Sequence, residues 1–262
     1  MPSVDAKSLD LLIDRIGVCM SYAPQARIFH ENDSAENAYK VVSGTIRTCK
    51  FLRDGRRQIG GFYLPGDFFG LECAERYTLS AEAVTNAKVL VIKKSVLTAA
   101  AKHNAAIEYR LLLLASRELA GLQARVLLLI KNAQERVGEF ILEMEKRTTV
   151  GNLIELPMTR RDIADYLGLT IETVSRILTS LESCAAIEMP TSRRIFLRSH
   201  SALRSAIADL SKGALSNRPS SKNTPSKRPD RRRHSRVRQR VPSEADVRTS
   251  MAAIVARSTR LR

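Results

Sequence analysis

The amino-acid sequence predicts an α+β fold in four consecutive parts. An antiparallel β-roll with a short helix before it (1–102) is followed by one long helix (103–132), a winged helix-turn-helix (133–210) and a disordered basic tail (211–262). Three observations carry this. Short apolar runs separated by turn residues fill the stretch from Gln25 to Ile92. An apolar repeat with alternating steps of four and three runs through 103–147. Two helix caps separated by a glycine turn stand between Met158 and Leu181, and a strand-turn-strand pattern follows them.

Composition bounds what these parts can be. The 262 residues are 44% hydrophobic, enough for a core, and contain no tryptophan. The net charge of +16 is placed unevenly. Residues 211–262 hold 15 of the 43 Lys and Arg and 3 of the 27 acids, a net of +12, so the first 210 residues are almost balanced. No apolar run approaches twenty residues and no signal-peptide pattern opens the chain, which predicts a cytoplasmic protein without a membrane partner. Cys19, Cys49, Cys73 and Cys184 are scattered singly, with no C-x-x-C pair and no cysteine–histidine cluster, so no metal site and no cofactor is expected. No nucleophile–base or metal-ligand spacing marks an enzyme.

Leu9, Leu11, Leu12, Ile13 and Ile16 form a short helical lead-in. From Gln25 the period changes. The runs Tyr39–Val42, Gly60–Leu64 and Val89–Ile92 alternate with the turn signals Asn32-Asp33, Ser43-Gly44, Asp54-Gly55 and Pro65-Gly66-Asp67, the pattern of a small antiparallel barrel or roll. In the long helical stretch Ile107, Leu111, Leu114, Glu118, Gly121, Arg125, Leu128 and Asn132 trace one seam, apolar in its first half, while Leu112, Leu113, Leu119, Leu122, Val126, Leu127, Leu129 and Ile130 lie outside it as a second apolar face. A helix that is apolar on two sides buries one face on its own roll and the other on a partner. The simplest partner is a second copy, and the seam through Ile107, Leu111, Leu114, Gly121, Arg125 and Leu128 is assigned to it. Gln134, Glu135 and Arg136 open the next helix, with Val137, Ile141 and Met144 inward.

The stretch Met158–Leu181 carries the chemistry. Thr159 with Asp162 three residues on is a capping box, Ile163, Ala164 and Leu167 give an inward face, and Gly168 ends the first helix. Thr170 caps the second, in which Val174, Ile177, Leu178 and Leu181 form one apolar stripe. The opposite face presents Glu172, Ser175 and Arg176 near the helix N-terminus, the end that a recognition helix offers to base edges in double-stranded DNA. Arg pairs bidentately with guanine, Glu accepts from a cytosine amino group, and Ser bonds either way. Thr159, Arg160, Thr170, Thr173, Arg193 and Arg194 are placed for the DNA backbone, where contacts position the protein without reading sequence. Ile187, Ile195, Phe196 and Leu197 flank Pro190 and Thr191-Ser192 as the two strands of a wing.

The segment Met158–Leu181 resembles the DNA-binding motif of the CRP/FNR family of bacterial transcription regulators, and Glu172, Ser175 and Arg176 resemble the triplet of its FNR and FixK branch. Residues 39–72, YKVVSGTIRTCKFLRDGRRQIGGFYLPGDFFGLE, resemble the roll of cyclic-nucleotide-binding-like effector domains, and the likeness continues to about residue 208. It implies a homodimer that binds palindromes with TTGAT-type half-sites, recruits RNA polymerase, acts mainly as an activator and serves low-oxygen respiration, denitrification or nitrogen fixation. The oxygen-sensing FNR type carries clustered N-terminal cysteines. Only Cys19 lies in that region here, so the resemblance is to the FixK type.

The roll departs from nucleotide-binding members. They place Arg-Ser or Arg-Thr some ten residues beyond a Gly-Glu pair. Here Gly70-Leu71-Glu72 is followed by Thr78-Leu79-Ser80-Ala81-Glu82-Ala83, the nearest Arg76 is five residues short, and Glu82 is expected to repel a phosphate. Leu122 stands where a hydroxyl contact from the long helix would fall. Cys184, just past the recognition helix, is a redox candidate whose oxidation would add bulk and charge beside DNA phosphates. Two alternatives stand beside the main reading. One is a regulator gated by haem or another small ligand in the roll; the other is a nucleic-acid-compacting protein acting through the tail.

Overall fold

Eight short strands follow the first helix, their apolar runs too short for helices and separated by residues that turn the chain. In the computed structural model, which describes residues 5–72 and 74–216, they are β1 (Val18–Tyr22), β2 (Arg27–Phe29), β3 (Asn37–Ser43), β4 (Ile46–Phe51), β5 (Arg57–Tyr63), β6 (Phe68–Phe69), β7 (Ser80–Ala83) and β8 (Ala87–Lys93). Two four-stranded sheets result, in the orders β1-β8-β3-β6 and β2-β7-β4-β5, with every pair antiparallel. Gly44 shows why a corner residue is fixed. Its φ is +78°, and a Cβ there would lie 2.2 Å from the Asn86 carbonyl oxygen, so a side chain is excluded twice.

The roll closes on aromatic rings. Phe29 stacks on Tyr77 with centroids 3.8 Å apart, and Tyr39 stacks on Phe69 at 4.9 Å. The Tyr77 hydroxyl donates to the Asn37 carbonyl at 2.6 Å, which satisfies the one polar atom that ring would bury. Helix α1 (Asp5–Ile16) covers one side through Leu9 and Ile13, one turn apart and both buried, while Leu11 points outward.

The helical region holds three helices, of which the second and third were expected. Helix α2 (Lys94–His103) precedes the break at Asn104, whose side chain accepts from the Ala106 and Ile107 N–H groups and starts α3 (Ala105–Leu129). Helix α4 (Ala133–Thr148) begins at a second capping box, Asn132 with Glu135. His103 ends α2 and stands directly before Asn104, the N-cap of α3.

The seam expected to meet a partner faces the chain itself. Ile107 is buried with Leu9, Ile13 and Leu97; Leu111 and Leu114 pack on that cluster; Leu128 packs on the C-terminal core. Arg125 is partly covered and reaches Glu118 at 3.9 Å, and Gly121 is exposed. The line left open is displaced by one residue: Leu112, Ala115, Leu119, Leu122, Val126 and Leu129 are all exposed. Both lines have the same 3–4 spacing, so period alone cannot say which one the roll takes.

After α4 come β9 (Thr149–Val150), β10 (Leu153–Glu155), α5 (Arg160–Leu167), α6 (Ile171–Ser183), β11 (Ile187–Thr191), β12 (Arg194–Leu197) and α7 (His200–Ser216). The strands form one sheet in the order β11-β12-β10-β9. Helix α7 continues into the stretch expected to be disordered, because Leu203 and Ala206 are buried and Ile207 and Leu210 pack beside them. The remainder of the expected tail, from residue 217 on, lies outside the described residues, as does Cys73.

The roll and the C-terminal helices share a core. Cys49, Ile59 and Phe62 from β4 and β5 are buried together with Val137, Phe140, Ile141 and Met144 of α4, and Phe62, Phe140 and Tyr166 make a ring cluster with centroids 5.3–6.4 Å apart. All described residues fall in one compact unit.

Candidate nucleic-acid interface

Helix α5 begins as its sequence dictates. The Thr159 N–H and hydroxyl both donate to Asp162 Oδ2, at 3.0 and 2.8 Å, and the Asp162 N–H donates back to Thr159 Oγ1 at 3.2 Å. Gly168 ends the helix at φ +64°, a left-handed cap that lets the Leu169 N–H donate to the Ala164 carbonyl. Thr170 then caps α6 by accepting from the Thr173 N–H at 3.2 Å. Val174, Ile177, Leu178 and Leu181 are all buried, so the stripe read from the sequence fixes which way the helix rolls.

That orientation turns the other face outward. Glu172 and Arg176 are exposed one turn apart, and Ser175 between them is partly covered. The Glu172 carboxyl is held below the usual carboxylate range, first by its own backbone N–H, then by the Thr170 hydroxyl and the Arg176 charge. A stable anion beside a cation, at the positive end of a helix, can accept from one base and donate to the next. The three side chains are brought to one face, as their spacing implies.

The backbone candidates divide. Arg193 and Arg194 are exposed on the turn and second strand of the β11–β12 hairpin, with Arg194 reaching Glu155 at 3.3 Å. Thr170 is exposed and Thr173 partly covered, their hydroxyls 3.1 Å apart. Arg160 is partly buried, and its Nε is enclosed without a hydrogen-bond partner. Thr159 is the exception: its N–H and hydroxyl are both committed to Asp162, so the cap would have to loosen before either could donate to a phosphate. Cys184 is the exposed C-cap of α6, its N–H donating to the Ser180 carbonyl.

The other site to weigh is a cavity of about 510 Å³ between the roll and α3. Gly70, Leu71, Glu72, Thr78 and Leu79 line it from the roll, and Glu118, Leu122 and Arg125 from the helix. Glu82 does not. It is buried elsewhere against Arg47 and Arg27, so the repulsion expected from it is replaced by that of Glu72 and Glu118. Burial raises the Glu118 carboxyl above its ordinary range, although Arg125 opposes this. Arg76 donates to the Asn32 carbonyl. Among the described residues no three His, Cys, Asp or Glu gather to hold a metal, and no helix is long and apolar enough to cross a membrane.

Sequence reasoning missed the groups that hold α5 from outside. Arg47, Arg57 and Arg136 reach it from β4, β5 and α4, across more than thirty residues of chain in each case, and no local pattern announces such pairs.

Residues 19–104 match the cyclic nucleotide-binding domain, and residues 135–206 match the Crp-like helix-turn-helix domain. The chain is 47% identical over 199 residues to the nitrogen fixation regulation protein FixK of Azorhizobium caulinodans, an overlap of 74% of this chain and 80% of that protein. It is 36% identical to the FixK protein of Rhizobium meliloti, over 71% of this chain and 85% of the relative. Among solved structures, FixK2 from Bradyrhizobium japonicum is similar with a TM-score of 0.71 at 42% identity, covering 73% of this chain and 97% of that one.

Proposed function

The chain belongs to the CRP/FNR family of transcription regulators, on its FixK-like branch, with a DNA-binding helix-turn-helix, and we propose that it works as a cytoplasmic homodimer on palindromic promoter sites with TTGAT-type half-sites. The observation that carries this is the α6 face: Glu172 and Arg176 are exposed a turn apart with Ser175 between them, on a helix whose opposite stripe is wholly buried. Bases are read from Glu172, Ser175 and Arg176, while Thr170, Thr173, Arg160, Arg193 and Arg194 meet the DNA backbone.

Two copies join along α3. The exposed line Leu112, Ala115, Leu119, Leu122, Val126 and Leu129 has the spacing of a two-stranded coil and no partner within the described chain. A two-fold axis there brings two α6 helices to successive turns of the major groove, on the order of 34 Å apart. The regulator acts mainly by activation, through contact with RNA polymerase, at genes of low-oxygen and nitrogen metabolism. The names of the FixK relatives, nitrogen fixation regulation proteins, support the nitrogen part of that assignment. Selection of bound duplexes from a random-sequence pool tests it. A two-fold consensus with TTGAT-type half-sites is expected; an asymmetric or sequence-independent pool would overturn the reading.

A further inference from the structure

The junction between the roll and the helix-turn-helix contains a buried network of charge. Arg47 of β4, with 3% of its side chain exposed, donates from Nη1 to Asp162 Oδ1 at 2.9 Å. Its Nη2 donates to Glu82 Oε2 at 2.8 Å and to Gln25 Oε1 at 2.8 Å. Arg57 of β5 donates from Nη2 to the same Asp162 Oδ1 at 2.6 Å and from Nε to Asp165 Oδ2 at 2.8 Å. Gln58 adds a bond from Nε2 to the Asp165 carbonyl. Asp162 is thus divided between two tasks. Oδ2 closes the capping box of α5, and Oδ1 takes both arginines of the roll.

Such a network is a poor way to gain stability, because burying charge carries a desolvation penalty that an apolar cluster avoids. It does supply direction. The Phe62, Phe140 and Tyr166 contacts beside it are non-directional, whereas two planar guanidinium groups fix the angle of the carboxylates they meet. The far end of α5 is held as well. Arg136 donates to the Leu167 carbonyl at 3.0 Å and to the Leu129 carbonyl at the end of α3 at 2.6 Å, so α5 is anchored to the roll at one end and to the long helix at the other. The docked motif keeps its reading face open, with Glu172, Arg176, Arg193 and Arg194 exposed.

We propose that Arg47 and Arg57 are positioning residues for DNA reading: by clamping Asp162 and Asp165 of α5 they hold each helix-turn-helix at the attitude on its roll from which both motifs of a dimer engage one palindrome. This rests on the dimeric reading above. The clamp adds nothing to what one motif does alone. It raises the effective concentration of the second motif at the second half-site.

The test compares a palindromic duplex with an isolated half-site, for the parent chain, Arg57→Gln, Arg57→Lys and Asp165→Asn. Arg57 and Asp165 are the more accessible members, so their loss leaves the Arg47–Glu82 pair in place. Arg57→Gln and Asp165→Asn are each expected to weaken palindrome binding about tenfold or more and half-site binding by less than about twofold, with Arg57→Lys recovering most of the loss. Unchanged palindrome affinity, an equal fall on both duplexes, or a gain in affinity would each overturn the positioning role. If the parent does not prefer the palindrome to the half-site, the dimeric reading fails first, and the positioning role goes with it.

Discussion

Glu172, one turn from Arg176, is held in its charged form first by its own backbone N–H, then by the Thr170 hydroxyl and the Arg176 charge. Arg176→Ala is expected to cost roughly 1–3 kcal/mol of operator affinity and to relax discrimination at one guanine per half-site. Titration against duplexes substituted at that base checks it, and an equal loss on random DNA would reassign Arg176 to the backbone. Asp162 makes a different demand on pH. Burial would raise its carboxyl, but the Thr159 N–H and hydroxyl and the charges of Arg47 and Arg57 outweigh that and hold it below the ordinary range. A carboxyl depressed in the folded state contributes stability above its unfolded pKa of about 3.9 and loses it as pH falls through the lower folded value. Denaturant midpoints should therefore fall more steeply below about pH 4 for the parent than for Asp162→Asn. Cys184 is the third residue to test. Peroxide converting its thiol to sulfenic or sulfinic acid is expected to weaken operator binding, and Cys184→Ala to abolish that sensitivity; equal sensitivity in both proteins would remove Cys184 from control.

At the scale of elements, what was legible in the sequence is what is decided locally. The caps at Thr159 and Thr170, the glycine turn at Gly168 and the buried stripe of α6 all lie within about one helical repeat of their causes, and the sequence placed each of them. The runs at β3, β5 and β8 were legible for the same reason, while β1, β2, β4, β6 and β7 were not picked out one by one. Helix α2 and the short β9–β10 hairpin were missed, the first because it runs up to the long helix with a single Asn104 between them, the second because two- and three-residue strands carry no period. The α3 seam shows a finer limit. Ile107, Leu111 and Leu114 of the expected seam pack on the roll side and the exposed apolar line lies one residue further on, since phase is set by what the roll covers. Leu119→Glu on the exposed line is accordingly expected to leave a folded monomer by sedimentation, whereas Ile107→Ala, which empties buried volume, should cost about 2–5 kcal/mol of stability. A Leu119→Glu protein that remains dimeric would place the partner elsewhere.

For the whole molecule, sequence and structure differ most at the junction. Arg47 and Asp162 meet across 115 residues, and neither carries a local signature of the other. Arg47 reads as a polar residue in a strand and Asp162 as a cap, and only the fold shows that the cap is also a docking point. The candidate site was therefore legible as a surface and illegible as a device held in place. The basic residues beyond 216 are expected to bear on affinity rather than on reading. Deleting 217–262 is expected to lessen the salt dependence of binding while operator preference survives, because that preference is written on α6. The central claim is tested most directly by titrating the parent chain at fixed salt against a TTGAT-type palindrome and a scrambled duplex of equal length. Two chains per palindrome and a preference on the order of 10³ or more are expected; equal affinities for the two duplexes, or one chain per palindrome, would contradict it.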